Sequence, residues 1–146
     1  MSITVALSKD RVRRPLRVRL LTRLAICVAR VLVLLKPHLL KRVLTRIARG
    51  AAAADSAQAH AARASVLAAS LSLNGLRACL PRSVSIALLC RLQGGWPTWC
   101  VGVRGAPPFA AHAWIEVGEE LIGEQGRYEG FARLISVPPP SADRAS

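Results

Sequence analysis

The sequence predicts an α+β fold, in which a helix that starts on a cysteine packs on a small antiparallel sheet and further helices precede it. Three observations predict this. Residues 16–72 read as successive helical segments. The run Cys79-Leu-Pro-Arg-Ser-Val-Ser-Ile-Ala-Leu-Leu-Cys90 puts a proline in a first helical turn, ahead of a continuous apolar stretch. Residues 98–103 and 109–117 follow as strand patterns, the second with clear alternation.

At 146 residues there is room for one domain with one modest core. Hydrophobic residues make up 52%, yet aromatics only 4%, so aliphatic side chains must fill that core. The net charge of +13 is uneven: residues 1–50 hold 13 Lys/Arg and one acid, whereas residues 51–146 are nearly balanced. The chain therefore divides into a basic amphipathic helical region over 1–50, a core over 51–138 and a disordered tail over 139–146.

Taking the elements in order, the first few residues are expected to be ragged. Leu16 to Leu35 is strongly apolar but carries Arg17, Arg19, Arg23 and Arg30. Twelve strong apolar residues contribute roughly −6 kcal/mol to membrane insertion, and two interior arginines cost about 2.5–3.5 kcal/mol each. The sum is near zero, and Arg19, Arg23 and Arg30 fall near one face, so the segment reads as an amphipathic helix with a basic stripe rather than a span. A signal peptide fits poorly, because Arg30 interrupts the apolar run. Pro37 breaks the helix, and His38–Arg49 forms a second one that Gly50 ends. Asp55 and Ser56 are N-cap candidates for a third helix reaching about Ser72, with His60 on its solvated side. Asn74-Gly75 is a turn signal that leads to Cys79.

The central helix then runs from Cys79 until Gly94-Gly95 stops it. A strand follows from Trp96-Pro97 to Val103, and the loop Arg104–Pro108 leads to the strand Phe109–Val117. Gly118-Glu119-Glu120 turns the chain into a second short run, Leu121–Glu124, making a hairpin. Tyr128–Val137 holds a short helix and an edge strand, and the proline-rich end frays.

The candidate chemistry starts at Cys79. A helix N-terminus presents unpaired N–H groups and a positive dipole end, and Arg77 and Arg82 add positive charge, so a thiolate is favoured there. The alternative for these arginines is structural pairing with Glu116 or Glu119. His112 is the candidate base, sharing one strand face with Trp114 and Glu116. Glu116 is four residues from His112, about 13 Å along a strand. Glu124, across the hairpin, can approach the ring and is preferred as the acid that orients it. A cysteine, a histidine and an acid in these relations suit nucleophilic acyl chemistry. The backbone N–H of Cys79 is a natural oxyanion donor, with the Asn74 amide as an alternative. Arg82, Trp114 and Trp99 are candidate substrate-binding residues, with a packing wall beside the imidazole as the favoured alternative for Trp114.

Cys27 and Cys90 sit in apolar helical runs and read as buried inert thiols, and Cys100 lies on a strand. No C-x-x-C pair, zinc spacing or phosphate loop occurs, so neither a metal nor another cofactor is expected. A disulfide framework does not suit a chain that needs a reduced nucleophile.

Four strings carry a resemblance: Cys79-Leu-Pro-Arg-Ser-x-x-x-Ala-Leu-Leu, Trp96-Pro-Thr-Trp-Cys-Val-Gly-Val-Arg104, Phe109-Ala-Ala-His-Ala-Trp-Ile-Glu-Val117 and Ile122-Gly-Glu124. Their order resembles the transglutaminase-like branch of the papain-like cysteine proteases, and within it the peptidase half of the lasso-peptide biosynthesis B proteins, over about Ala52–Pro138. The resemblance implies a transglutaminase-like (papain-like) core with a catalytic triad at Cys79, His112 and Glu124. Family members often carry Asp at the last position, so Glu124 departs in length but not in charge. It also implies removal of the leader from a ribosomally made precursor peptide before a separate cyclase closes the ring. Its implied partners are the precursor's leader, a separate leader-recognition protein and the lasso cyclase. The implied location is cytoplasmic, with peripheral attachment to an anionic membrane surface as an extension of the basic N-terminus.

Two rival readings share the residues. A transglutaminase-like acyltransferase would use the same triad with an amine in place of water. A non-catalytic basic protein would bind a membrane surface or a partner. Nucleic acid is not expected as a partner, because aromatics do not interleave with the arginines.

Overall fold

The computed structural model describes residues 14–75, 77–105, 110–124, 126 and 128–140. The expected raggedness of the first residues, much of the Arg104–Pro108 loop, Phe109 at the start of the histidine strand and most of the tail lie outside them.

Helix α1 spans Leu16–Leu32 and packs against the central helix and the third helix through Thr22, Ala25, Ile26 and Ala29. Three of these four are small, which lets the backbones approach closely. Helix α2, Pro37–Ala48, starts on its proline and buries Leu40, Leu44 and Ala48. Gly50 follows with φ 76°, a left-handed exit that glycine adopts at no steric cost. The Arg91 guanidinium donates to the carbonyls of Ile47 and Arg49 at 2.7 and 3.2 Å, tying the open end of α2 to the central helix. Helix α3, Ser56–Ala69, is capped by Asp55, whose side chain accepts from the Gln58 N–H at 2.7 Å. It ends earlier than the sequence suggested, and a 3-10 turn over Leu71–Asn74 takes up the remainder.

Helix α4, Cys79–Leu92, is the axis of the molecule. Every residue from Ser83 to Cys90 is buried, which explains why its sequence shows no polar face. Ser83 and Ser85 satisfy their hydroxyls within the helix by donating to Leu80 O at 3.0 Å and Pro81 O at 2.6 Å. Val84 and Leu89 are fully excluded from solvent, each worth about 1.5–3 kcal/mol of burial.

Two short strands, β1 (Ala52–Ala53) and β2 (Gly95–Trp96), pair in parallel. This pairing was not foreseen, since two residues of alanine or glycine carry no strand signal. Strands β3 (Thr98–Arg104), β4 (Ala111–Val117), β5 (Glu120–Leu121) and β6 (Phe131–Val137) form an antiparallel sheet in the order β5-β4-β3-β6. The expected hairpin is β4–β5, with Glu116 opposite Leu121. The expected final strand is the β6 edge, preceded by a 3-10 turn at Tyr128–Gly130.

One sheet face joins the helices in a single core through Trp99, Ile115 and Val137. The other gathers Cys100, Trp114 and Phe131 into a second, smaller cluster. Between β3 and β6 the register slips at Val101/Gly102. A side chain at Gly102 would collide with the Ala132 carbonyl, so the close approach of the two backbones requires glycine there.

Cys90 and Cys100 are buried, as a structural thiol should be, but Cys27 is exposed on α1, against the expectation of burial. The reason is the face that α1 turns inward, which is one of small residues.

Candidate active site

Three elements deliver three side chains to one cleft of about 260 Å3. Cys79 is the first residue of α4, and Pro81 fits the first turn, where its missing N–H costs nothing. His112 is the second residue of β4, on the sheet face of Trp114, against whose ring it stacks with centroids 6.0 Å apart and planes 14° apart. Glu124 follows β5. There the Ile122 N–H donates to Ile115 O at 2.9 Å, and the Ile122 side chain is buried, pinning the chain. Gly123 then turns at φ 71° with the Arg63 side chain filling the space a Cβ would need. Glycine at this point sets the direction in which Glu124 leaves.

Glu124 Oε2 lies 2.9 Å from His112 Nε2, both side chains being largely shielded from solvent. Among the described residues the Nε2 atom has no well-aligned hydrogen-bond acceptor, so the contact is an ion pair at hydrogen-bond distance with its N–H directed off the line. Hydrogen bonding to the His112 ring holds the Cys79 thiol below its ordinary range. Half-burial opposes that effect, and the Ala113 backbone N–H and the charge of Arg82 add to it. His112 in turn is pushed up to about 9, first by Cys79 and then by Glu124. Each group thus favours the ionised form of the other.

The other expected residues separate cleanly. Arg82 borders the cleft, and its guanidinium donates to the carbonyls of Leu73 and Gly75 at 3.1 and 3.3 Å. It does not pair with Glu116 or Glu119. Instead it fixes the turn that precedes Cys79. Asn74 also borders the cleft, but its amide is committed to Leu67 O and Ser70 O at 3.2 and 3.3 Å, which removes it as an oxyanion donor in this arrangement.

Trp99 and Trp114 do not reach the cleft wall as substrate contacts, since each is 1% exposed. The Trp99 indole donates to Ser83 Oγ at 3.1 Å within the core, and Trp114 backs the imidazole. Alternation in the sequence placed Trp114 on the right face but could not show that the face is covered. Glu116 is buried and held by Arg133, at 2.6 Å from Nη2, and by the Trp114 indole at 3.2 Å. It is thereby occupied elsewhere. His60, expected to be simply solvated, instead meets Glu120 at 2.9 Å on the surface.

Two participants are not singled out by the sequence. Arg104, at the end of β3, brings Nη2 to 3.6 Å from Glu124 and leaves its side chain half exposed at the cleft. Arg133 lies over Tyr128 at 3.8 Å from the ring centroid and over Trp114 at 5.6 Å. Its presence in the alternating run of β6 was the available hint.

A helix-start thiol, an imidazole from the neighbouring sheet and a carboxylate behind that imidazole can perform acyl transfer through sulfur. Comparison with protein families agrees on the class: residues 21–136 match the transglutaminase-like superfamily, and the chain belongs to it. Cysteine-based catalysis is general in that superfamily. No curated protein and no solved structure matches the chain.

Proposed function

We propose that this protein is a cysteine peptidase that removes the leader from a ribosomally made lasso-peptide precursor, ahead of ring closure by a separate cyclase. The observation that carries the reading is the convergence of Cys79, His112 and Glu124 in one open cleft. The resemblance of the strings around these residues to the peptidase half of lasso-peptide biosynthesis B proteins supplies the substrate class.

In this reading Cys79 Sγ attacks the leader–core amide carbonyl, forming a carbon–sulfur bond. The tetrahedral oxyanion is met by the backbone N–H of Cys79 at the start of α4, which has no carbonyl partner within the helix. With Nε2 given to Glu124, Nδ1 serves the thiol. His112 passes its proton to the leaving amine, the C–N bond breaks, and the core is released with a free N-terminus. The leader stays on sulfur as a thioester. Water, losing a proton to His112, then releases it as a carboxylic acid and restores the thiol–imidazole pair. Glu124 holds the ring orientation and stabilises the imidazolium. Leader recognition by a separate protein and hand-over to the cyclase complete the reading.

The test is incubation of the protein, with and without a leader-binding partner, with the precursor encoded beside it, followed by mass measurement. Two peptides whose masses sum to the precursor plus water are expected, and C79A should yield none. A cross-linked product lacking ammonia would instead assign acyl transfer to an amine. An intact precursor with the wild-type protein and partner would overturn the reading.

A further inference from the structure

Helix α1 is turned around relative to an ordinary surface helix. It buries Thr22, Ala25, Ile26 and Ala29. It presents Leu16, Leu20, Leu24, Val28 and Val31 to the outside, between 39% and 68% exposed. At 100° per residue these five side chains fall within an arc of about 120°, a continuous aliphatic ridge. Arg17 lies toward one margin of the ridge and Arg19, Arg23 and Arg30 lie along the other. Arg30 donates to Ser72 Oγ at 2.7 Å and Ser70 Oγ at 3.4 Å. That contact brings the intervening Leu71, 89% exposed, to the end of α1 where Leu34 is 84% exposed. Single exposed leucines are ordinary, but a contiguous row of them marks a contact surface.

Charge selects the occupant. Residues 14–50 carry ten Lys/Arg and no Asp or Glu. A second copy would bring an equally basic face against this one, which disfavours self-association. The ridge holds no Trp or Tyr, the residues that dominate protein–protein hot spots. At 17 residues α1 is about 25 Å long, less than a bilayer's hydrocarbon thickness, and no described helix is long and apolar enough to cross a membrane. What the pattern fits is a helix lying in the plane of an interface, with aliphatic side chains at the acyl boundary and arginines at the headgroups.

We propose that α1 docks this protein on an anionic lipid surface, with Leu20, Leu24, Val31 and Leu71 entering the acyl boundary and Arg17 and Arg23 meeting lipid phosphates. The inference is independent of the chemistry at Cys79. The full-length protein is sedimented with phosphatidylcholine vesicles with and without phosphatidylglycerol. Binding is expected to be at least about tenfold tighter with the anionic lipid and to fall steeply between 0.1 and 1 M salt, as the screening length drops from about 10 to about 3 Å.

L20S/L24S/V31S should lose at least about tenfold in binding with unchanged far-UV circular dichroism and unchanged Cys79 alkylation. Should that variant fold poorly, R17Q/R23Q keeps the ridge and should lose the preference for phosphatidylglycerol. Equal affinity for both vesicles, no binding at all, or wild-type binding by the variants overturns the proposal. So does a wild-type dimer that L20S/L24S/V31S dissociates in place of vesicle binding, which would assign the ridge to a second copy.

Discussion

His112 stands between a carboxylate and a thiol: Glu124 Oε2 is 2.9 Å from its Nε2, and Cys79 is the largest influence on its proton affinity. Glu124 stabilises the imidazolium from behind, so its charge matters more than its size. E124Q keeps the shape and removes the charge. Loss of an opposite charge at this range lowers the ring's pKa by roughly 1–3 units. The high-pH limit of activity should move down correspondingly in a pH–rate series, while E124D should keep the limit near the wild-type position.

The pH dependence of the wild type follows from the two shifts taken together. Cys79 ionises below its ordinary value, so the low-pH limb lies below the usual thiol range. His112 is raised above its ordinary 6.5 to about 9, so its proton is present below that value and is lost as pH rises through it. Peptide cleavage, which needs that proton for the leaving amine, should therefore decline above about pH 9. Steady-state rates over a pH series would show a bell with that upper edge.

Behind the site, Arg133 and Glu116 are a shielded ion pair, Glu116 being 3% exposed. R133A leaves the carboxylate buried without its partner, which costs about 3–5 kcal/mol. E116Q/R133A removes the charge as well and should lose less than R133A alone. Urea unfolding of the three proteins measures the difference.

Gly123 is a sharper probe of the acid's placement. Its φ of 71° and the Arg63 side chain over it leave no room for a methyl group. G123A should destabilise by about 1–2 kcal/mol from backbone strain. It should also lower cleavage by displacing Glu124. R63A/G123A relieves the steric part only, so a partial recovery in chemical unfolding is expected.

Cys79 and His112 were legible in the sequence because each is set locally, one by a proline-marked helix start and the other by strand alternation. Glu124 was legible because a short turn after β4 can only bring the chain back alongside it. The packing role of Trp114 beside His112 was legible too, but the burial of Trp99 was not, since alternation assigns a side chain to a face without saying what covers that face. The outward ridge of α1 escaped for a related reason: large aliphatic residues read as core, yet close packing against α4 selects Ala25 and Ala29 instead. Arg104 meets Glu124 across strands, a relation no short stretch of sequence contains.

The central claim is that His112 holds the Cys79 thiol below its ordinary range. Its most direct measurement is the iodoacetamide alkylation rate of Cys79 across pH, read by peptide mass so that the exposed Cys27 is counted separately. The account predicts that Cys79 reaches half its maximal rate below pH 9.0, the ordinary thiol value, and that H112A returns it toward that value. A Cys79 profile with its midpoint at or above pH 9.0, or one that H112A leaves unmoved, would contradict it.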